Sequence, residues 1–133
     1  MRKSFSLIEV VLACTVLIMF LMAGLILFGT GIRNVKIAAH RLQAVYLANQ
    51  KLEELTATRD DKFFANQAVD WAILGGVGSD TPPGFDITFS RSWDPTQNGP
   101  LTDSRKIKVT VGWTDFSQSY SITVYKYLTK WQN

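Results

Sequence analysis

The sequence predicts an α+β protein in which one long N-terminal helix, apolar in its first half and amphipathic in its second, packs against a three-stranded antiparallel sheet. Three observations predict this. From Val10 to Phe28 the only polar side chains are Thr15 and the weakly polar Cys14. No proline interrupts residues 5–59, and apolar residues keep recurring at helical spacing beyond the apolar run. Three segments in the second half alternate apolar and polar residues with the period of two that marks strands with one buried face.

The apolar run comes first. Val10–Phe28 is 19 residues, the length a helix needs to cross the hydrocarbon core of a bilayer. A cleaved secretory signal is the competing reading. Its apolar region is shorter, and a small-x-small site and polar stretch follow it. Here "MAGLILFGTG" mixes small and apolar residues, and a helical pattern continues after it. An uncleaved transmembrane helix is preferred. Arg2 and Lys3 flank one end, and Arg33, Lys36 and Arg41 flank the other, so positive charge alone does not fix the orientation.

The amphipathic half follows. From Ile32 to Leu55, Val35, Ala38, Leu42, Val45, Leu52 and Leu55 recur at spacings of three, four or their multiples. Arg33, Lys36, Arg41, Gln43, Gln50 and Glu54 lie opposite. A continuous helix from about Phe5 to about Thr58 would be roughly 80 Å long. Gly24, Gly29 and Gly31 are the places where it could bend or pack closely on another helix.

Residues 60–84 read as irregular, with a Gly cluster, a Pro pair and room for a short helix near Phe64–Leu74. "GGVG" lacks the Lys-Ser/Thr that a phosphate loop needs. The three strands are "FDITFSRSW" (85–93), "RKIKVTVGW" (105–113) and "YSITVYKYL" (120–128). "DPTQNGPLTD" is the loop between the first two, and "TDFSQS" the tight hairpin between the last two. Their apolar face needs a cover, and residues 32–55 are the only long amphipathic element that can supply it.

Composition narrows the function classes. The 133 residues fit one domain, with a net charge of +3. Residues 1–59 carry seven Lys/Arg against three Glu, and residues 60–133 seven against eight Asp. The second half therefore lacks the basic face of a nucleic-acid binder; only Arg105, Lys106 and Lys108 approach one. The single cysteine excludes an intramolecular disulfide and, inside an apolar run, is a filler rather than a nucleophile. His40, the only histidine, reads as surface polar. Asp60 and Asp61 could meet a cation, but no regular oxygen-ligand spacing follows them. No catalytic set, metal site or cofactor site emerges, which points away from an enzyme.

The N-terminus carries a resemblance. "KSFSLIEVVLACTVL" resembles the signature of type IV pilins and pseudopilins, with a basic leader, a Phe, Leu-Ile-Glu and an apolar helix in register. The resemblance implies a leader at residues 1–4, the transmembrane half at 5–31 and a periplasmic domain at 32–133. It implies cleavage by prepilin peptidase between Ser4 and Phe5 and N-methylation of Phe5. Ser4 stands where the family usually has Gly, and it too is small. Glu9 then falls at the fifth mature position, about 6 Å along the axis from the Phe5 amine. The resemblance gives Glu9 the task of pairing with a neighbouring subunit's N-terminal amine as helices bundle. A buried amine and carboxylate are each costly alone and tolerable together. Read without the resemblance, Glu9 is an anion in a first helical turn, where the macrodipole favours it.

"AVYLANQKLEEL" further resembles the I-type minor pseudopilin of type II secretion and the related V-type minor pilins, through Leu47, Ala48, Lys51, Leu52, Glu53, Glu54 and Leu55. The function so implied is a structural subunit near the tip of a pseudopilus. Its partners would be other major and minor pilins or pseudopilins, the peptidase and the inner-membrane assembly platform. A minor pilin of a type IV pilus or DNA-uptake machine fits the same residues. A signal-anchored periplasmic binding module remains the alternative of another class.

Overall fold

The computed structural model describes residues 6–64, 71–100 and 104–129. One helix, α1 (Leu7–Phe64), is followed by a short 3-10 helix (Trp71–Leu74) and four strands: β1 (Gly78–Asp80), β2 (Phe89–Asn98), β3 (Ser104–Asp115) and β4 (Gln118–Thr129). The sheet order is β1-β2-β3-β4, antiparallel throughout. The chain divides between Ala39 and His40 into two units, and each is described by itself.

In the first unit, Ser6 precedes α1 and its carbonyl accepts from the Glu9 and Val10 N–H groups at 2.9 and 3.3 Å. Glu9 lies in the first turn, where the helix dipole favours an anion. Thr15 and Thr30 keep their hydroxyls satisfied by donating to Val11 O (2.7 Å) and to Ile26 and Leu27 O (3.1 and 2.9 Å). α1 remains helical through Gly24, Gly29 and Gly31. By length and composition it is apolar enough to cross a membrane, and the apolar window is exposed throughout.

In the second unit, the His40–Phe64 part of α1 covers the sheet. Its buried stripe is His40, Ala44, Leu47, Ala48, Lys51, Leu52, Leu55 and Arg59. This corrects the stripe expected from hydropathy. Leu52 and Leu55 are in it, but Leu42 and Val45 are exposed. Three of the eight buried positions carry polar heads, which hides the true face from an apolar count.

The sheet has four strands rather than the expected three. β1 lies in the stretch read as irregular, because "GSD" carries no alternation; it pairs Gly78, Ser79 and Asp80 with Trp93, Ser92 and Arg91. Gly78 is there because the Trp93 ring would lie 2.6 Å or less from any Cβ. β2 begins at Phe89, four residues later than expected, and runs on through the expected loop to Asn98. Its register shifts between Asp94 and Gln97, a bulge that takes in Pro95. Asp94 holds the bulge by accepting from Thr96 N and Oγ1 (2.9 and 2.6 Å) and Gln97 Nε2 (3.1 Å).

β3 and β4 pair over twelve uninterrupted positions, closed by Asp115 opposite Gln118. The intervening Phe116 and Ser117 both have positive φ, 47° and 64°, the signature of a type I′ turn. On the inner face Phe89, Trp113 and Tyr120 face one another across β2, β3 and β4. Phe85 extends this aromatic row, 5.3 Å from Phe89 edge to face, and Trp113 stacks on Tyr120 at 5.6 Å. Phe85 and Ile87, expected in β2, lie before it and pack on the core from there.

Candidate functional site

The candidate site of the first unit is the helix surface itself. Every large apolar side chain from Leu7 to Phe28 in α1 is exposed. Cys14 is a free, exposed thiol within it. Glu9 is exposed, and its carboxylate has no ion-pair partner among the described residues. Ser4 and Phe5, the expected cleavage and methylation residues, lie outside the described residues. The structure therefore places Glu9 at the entrance of an apolar helix, and no cation among the described residues pairs with it.

The second unit ties α1 to the sheet through clusters centred on His40, Arg91 and Lys51, and through Arg59, whose Nη1 donates to Thr129 O of β4 at 3.3 Å. His40, on α1, is buried between two carboxylates. Its Nδ1 lies 2.7 Å from Asp115 Oδ2 at the end of β3, and its Nε2 lies 3.1 Å from Asp86 Oδ2 before β2. Burial by itself would lower the imidazole's pKa. The hydrogen bonds and charges of Asp115 and Asp86 outweigh that, and His40 is raised above its ordinary 6.5. The expectation that His40 is a surface residue is thus corrected. Asp115 is buried beside it, while Asp86 is exposed and held below the ordinary carboxylate value by the His40 hydrogen bond.

Arg91, on β2, is the second cluster. Its Nε and Nη2 donate to the two oxygens of Asp80 at 2.9 and 2.5 Å, and Nη1 donates to Leu47 O of α1 at 3.2 Å. The fork geometry of a guanidinium makes this three-way tie. Those hydrogen bonds hold the Asp80 carboxyl below its ordinary value. The third is Lys51, whose stem is buried on α1. Its ammonium lies 2.7 Å from Glu54 Oε1 and 4.0 Å from the centre of the Trp93 ring.

Beside Arg91 an open groove of about 440 Å³ is lined by Tyr46, Gln50, Asp80, Pro82, Pro83 and Phe85, among others. Asp60, weighed as a cation ligand, takes the Arg59 guanidinium at 2.6 Å. Among the described residues no group of three or more His, Cys, Asp or Glu is placed to hold a metal ion.

Sequence reasoning missed these clusters, because apart from Glu54, one turn from Lys51, the partners come from other elements of the chain. One signal was available: His40, Lys51 and Arg59 fall on the same helical face as Ala44, Leu47, Ala48, Leu52 and Leu55. Comparison with family models, curated proteins and solved structures finds no match to this chain.

Proposed function

We propose that the chain is a structural subunit of a type IV pilin-like filament, in the first place a minor pseudopilin at or near the tip of a type II secretion pseudopilus. The observation that carries this reading is the part of α1 before His40: its large apolar side chains from Leu7 to Phe28 are all exposed, and the first turn holds a carboxylate with no ion pair among the described residues. Such a surface is stable in lipid or against other helices and costly in water. Glu9 stands where the leader numbering from Ser4–Phe5 asks for it. An α+β domain with a helix over an antiparallel sheet is consistent with a pilin-like layout.

In this reading the precursor is a single-pass inner-membrane protein with residues 32–133 on the periplasmic side. Prepilin peptidase removes Met1–Ser4 and methylates Phe5. The assembly platform then moves the subunit into a filament, where Glu9 faces a neighbour's N-terminal amine. The chain turns nothing over. The same parts serve a minor pilin of a type IV pilus or DNA-uptake machine, and the neighbouring genes separate the two. The groove of Tyr46, Asp80, Pro82 and Phe85 favours a second reading, a signal-anchored periplasmic binding module.

Intact-mass analysis separates filament subunit from binding module. Expressed in membranes with a prepilin peptidase, the chain should lose Met1–Ser4 and gain one methyl group. A full-length, unmethylated mass rejects the filament reading.

A further inference from the structure

The two edges of the sheet are treated differently. One edge is blunted: β1 has only three residues, and β2 beyond it carries Pro95 and a bulge, the usual means of preventing strand addition. The other edge is β4, twelve residues long, free of proline and paired to β3 without a register shift.

The turn fixes which backbone groups that edge offers. In a two-residue hairpin the closing pair, here Asp115 and Gln118, exchanges hydrogen bonds. Alternation then makes Tyr120, Ile122, Val124 and Lys126 hydrogen-bonded partners of β3. Ser119, Ser121, Thr123, Tyr125 and Tyr127 turn their N–H and C=O groups outward. Ser90 and Ser92 Oγ donate to Gly112 and Thr110 O, so these β3 carbonyls point to β2 and away from β4, as this phase requires. Beyond them, Thr129 O accepts from Arg59 Nη1 at 3.3 Å. No backbone group of the described residues bonds Ser119–Tyr127 from outside. Donors and acceptors at strand spacing are matched by one kind of ligand, another extended chain.

Charge indicates which chain. Lys126 is the one charged residue of β4, and it has no ion pair among the described residues. The β4 strand of a second copy cannot supply its counter-charge, because "QSYSITVYKYLT" contains no acidic residue. Self-pairing about Thr123 would set Tyr120 across from Lys126, and sliding the strands toward their C-terminal ends brings Lys126 to Lys126.

We propose that the β4 edge takes up an extended segment of a different polypeptide as a fifth strand, with an Asp or Glu across from Lys126. The incoming strand bonds Ser119–Tyr127 and sets its apolar side chains over Ile122 and Val124. The proposal does not depend on the filament reading, so either can fail alone.

The test uses the full chain in detergent and three synthetic ten-residue peptides of alternating Thr and Val. One carries a Glu near one end, one a Lys in its place, and one a central Pro. The Glu peptide should protect the Ser121, Thr123 and Tyr125 amides from hydrogen exchange. The Lys peptide should bind about tenfold more weakly and the Pro peptide not detectably. Thr123→Pro should weaken the Glu peptide about tenfold with the β3–β4 ladder intact, since the Thr123 N–H points outward. Ser90→Ala, on β2 and two strands from the edge, should bind as the parent does. Three results overturn the proposal: no amide protection, equal binding by Thr123→Pro that keeps the parent's amide protection in β3, or pairing of β4 with a second copy in the absence of peptide.

Discussion

Glu9 and His40 are both titratable side chains on α1, and their surroundings differ: Glu9 is exposed, and His40 is buried between two carboxylates. Glu9 has no ion-pair partner among the described residues and sits on an apolar helix. Under the proposed filament reading, Glu9→Ala should leave membrane insertion intact and remove co-purification with the pilins that reading names as partners, as read by pull-down after membrane fractionation. Undiminished pull-down would end the pairing role. His40 already holds its partners. Its pKa is raised in the folded chain, so its contribution is complete below the unfolded value of 6.5 and is lost as pH rises through the folded value. His40→Gln should therefore lower the melting temperature most at pH below 6.5, and the deficit should shrink on the alkaline side. A deficit constant across that range would show that the two carboxylates do not hold a cation. His40→Leu goes further: it leaves Asp115 buried without a partner and should cost about 3 kcal/mol by thermal or denaturant unfolding. Arg91→Lys keeps the charge and loses the fork to Asp80 and Leu47 O, for a loss of about 1–2 kcal/mol.

Among the elements, β1 is the least expected and the most constrained. Gly78→Ala puts a methyl into the Trp93 ring and should destabilise by about 1–3 kcal/mol; a melting temperature equal to the parent's would show that Trp93 has room to move. This strand was not legible because its residues, Gly, Ser and Asp, are turn formers with no apolar member. Pairing with Arg91 through Asp80, not propensity, makes it a strand. β3 and β4 were legible since Ile107, Val109, Val111 and Trp113, then Tyr120, Ile122 and Val124, alternate without a break. β2 was half legible. Pro95 reads as a loop, and only the Asp94 hydrogen bonds show why a strand continues past it. In α1 the helix itself was plain, while its buried face was not. His40, Lys51 and Arg59 occupy core positions that a hydropathy count gives to solvent.

At the scale of the whole chain, the buried residues divide sharply. Among the described residues all of them lie from His40 onward. The chain from His40 to Asn133 should therefore unfold cooperatively when made alone, with near-ultraviolet circular dichroism from Trp93 and Trp113 retained until one transition. A broad, non-cooperative melt would mean that residues before His40 contribute to the core. The apolar and amphipathic halves of α1 were visible in the sequence. Ile32 and Val35 are apolar yet exposed, so the change in packing between Ala39 and His40 carries no hydropathy signal. The expected leader and methylation residues, Ser4 and Phe5, lie outside the described residues, and mass analysis of the processed chain is the direct way to reach them.

The turn between β3 and β4 has a kinetic consequence. Phe116 and Ser117 both sit in the left-handed region, where a side chain costs on the order of 1 kcal/mol or more and where Asn-Gly would rest without strain. The hairpin they close is the most local pairing in the sheet, and local pairings form early in folding. The toll of the two left-handed residues thus falls on the sheet's most local pairing. Replacing the pair by Asn-Gly should quicken refolding in stopped-flow fluorescence of Trp113 and leave the unfolding rate nearly unchanged. The hairpin would then be the element that sets how fast the domain is ready to meet a partner.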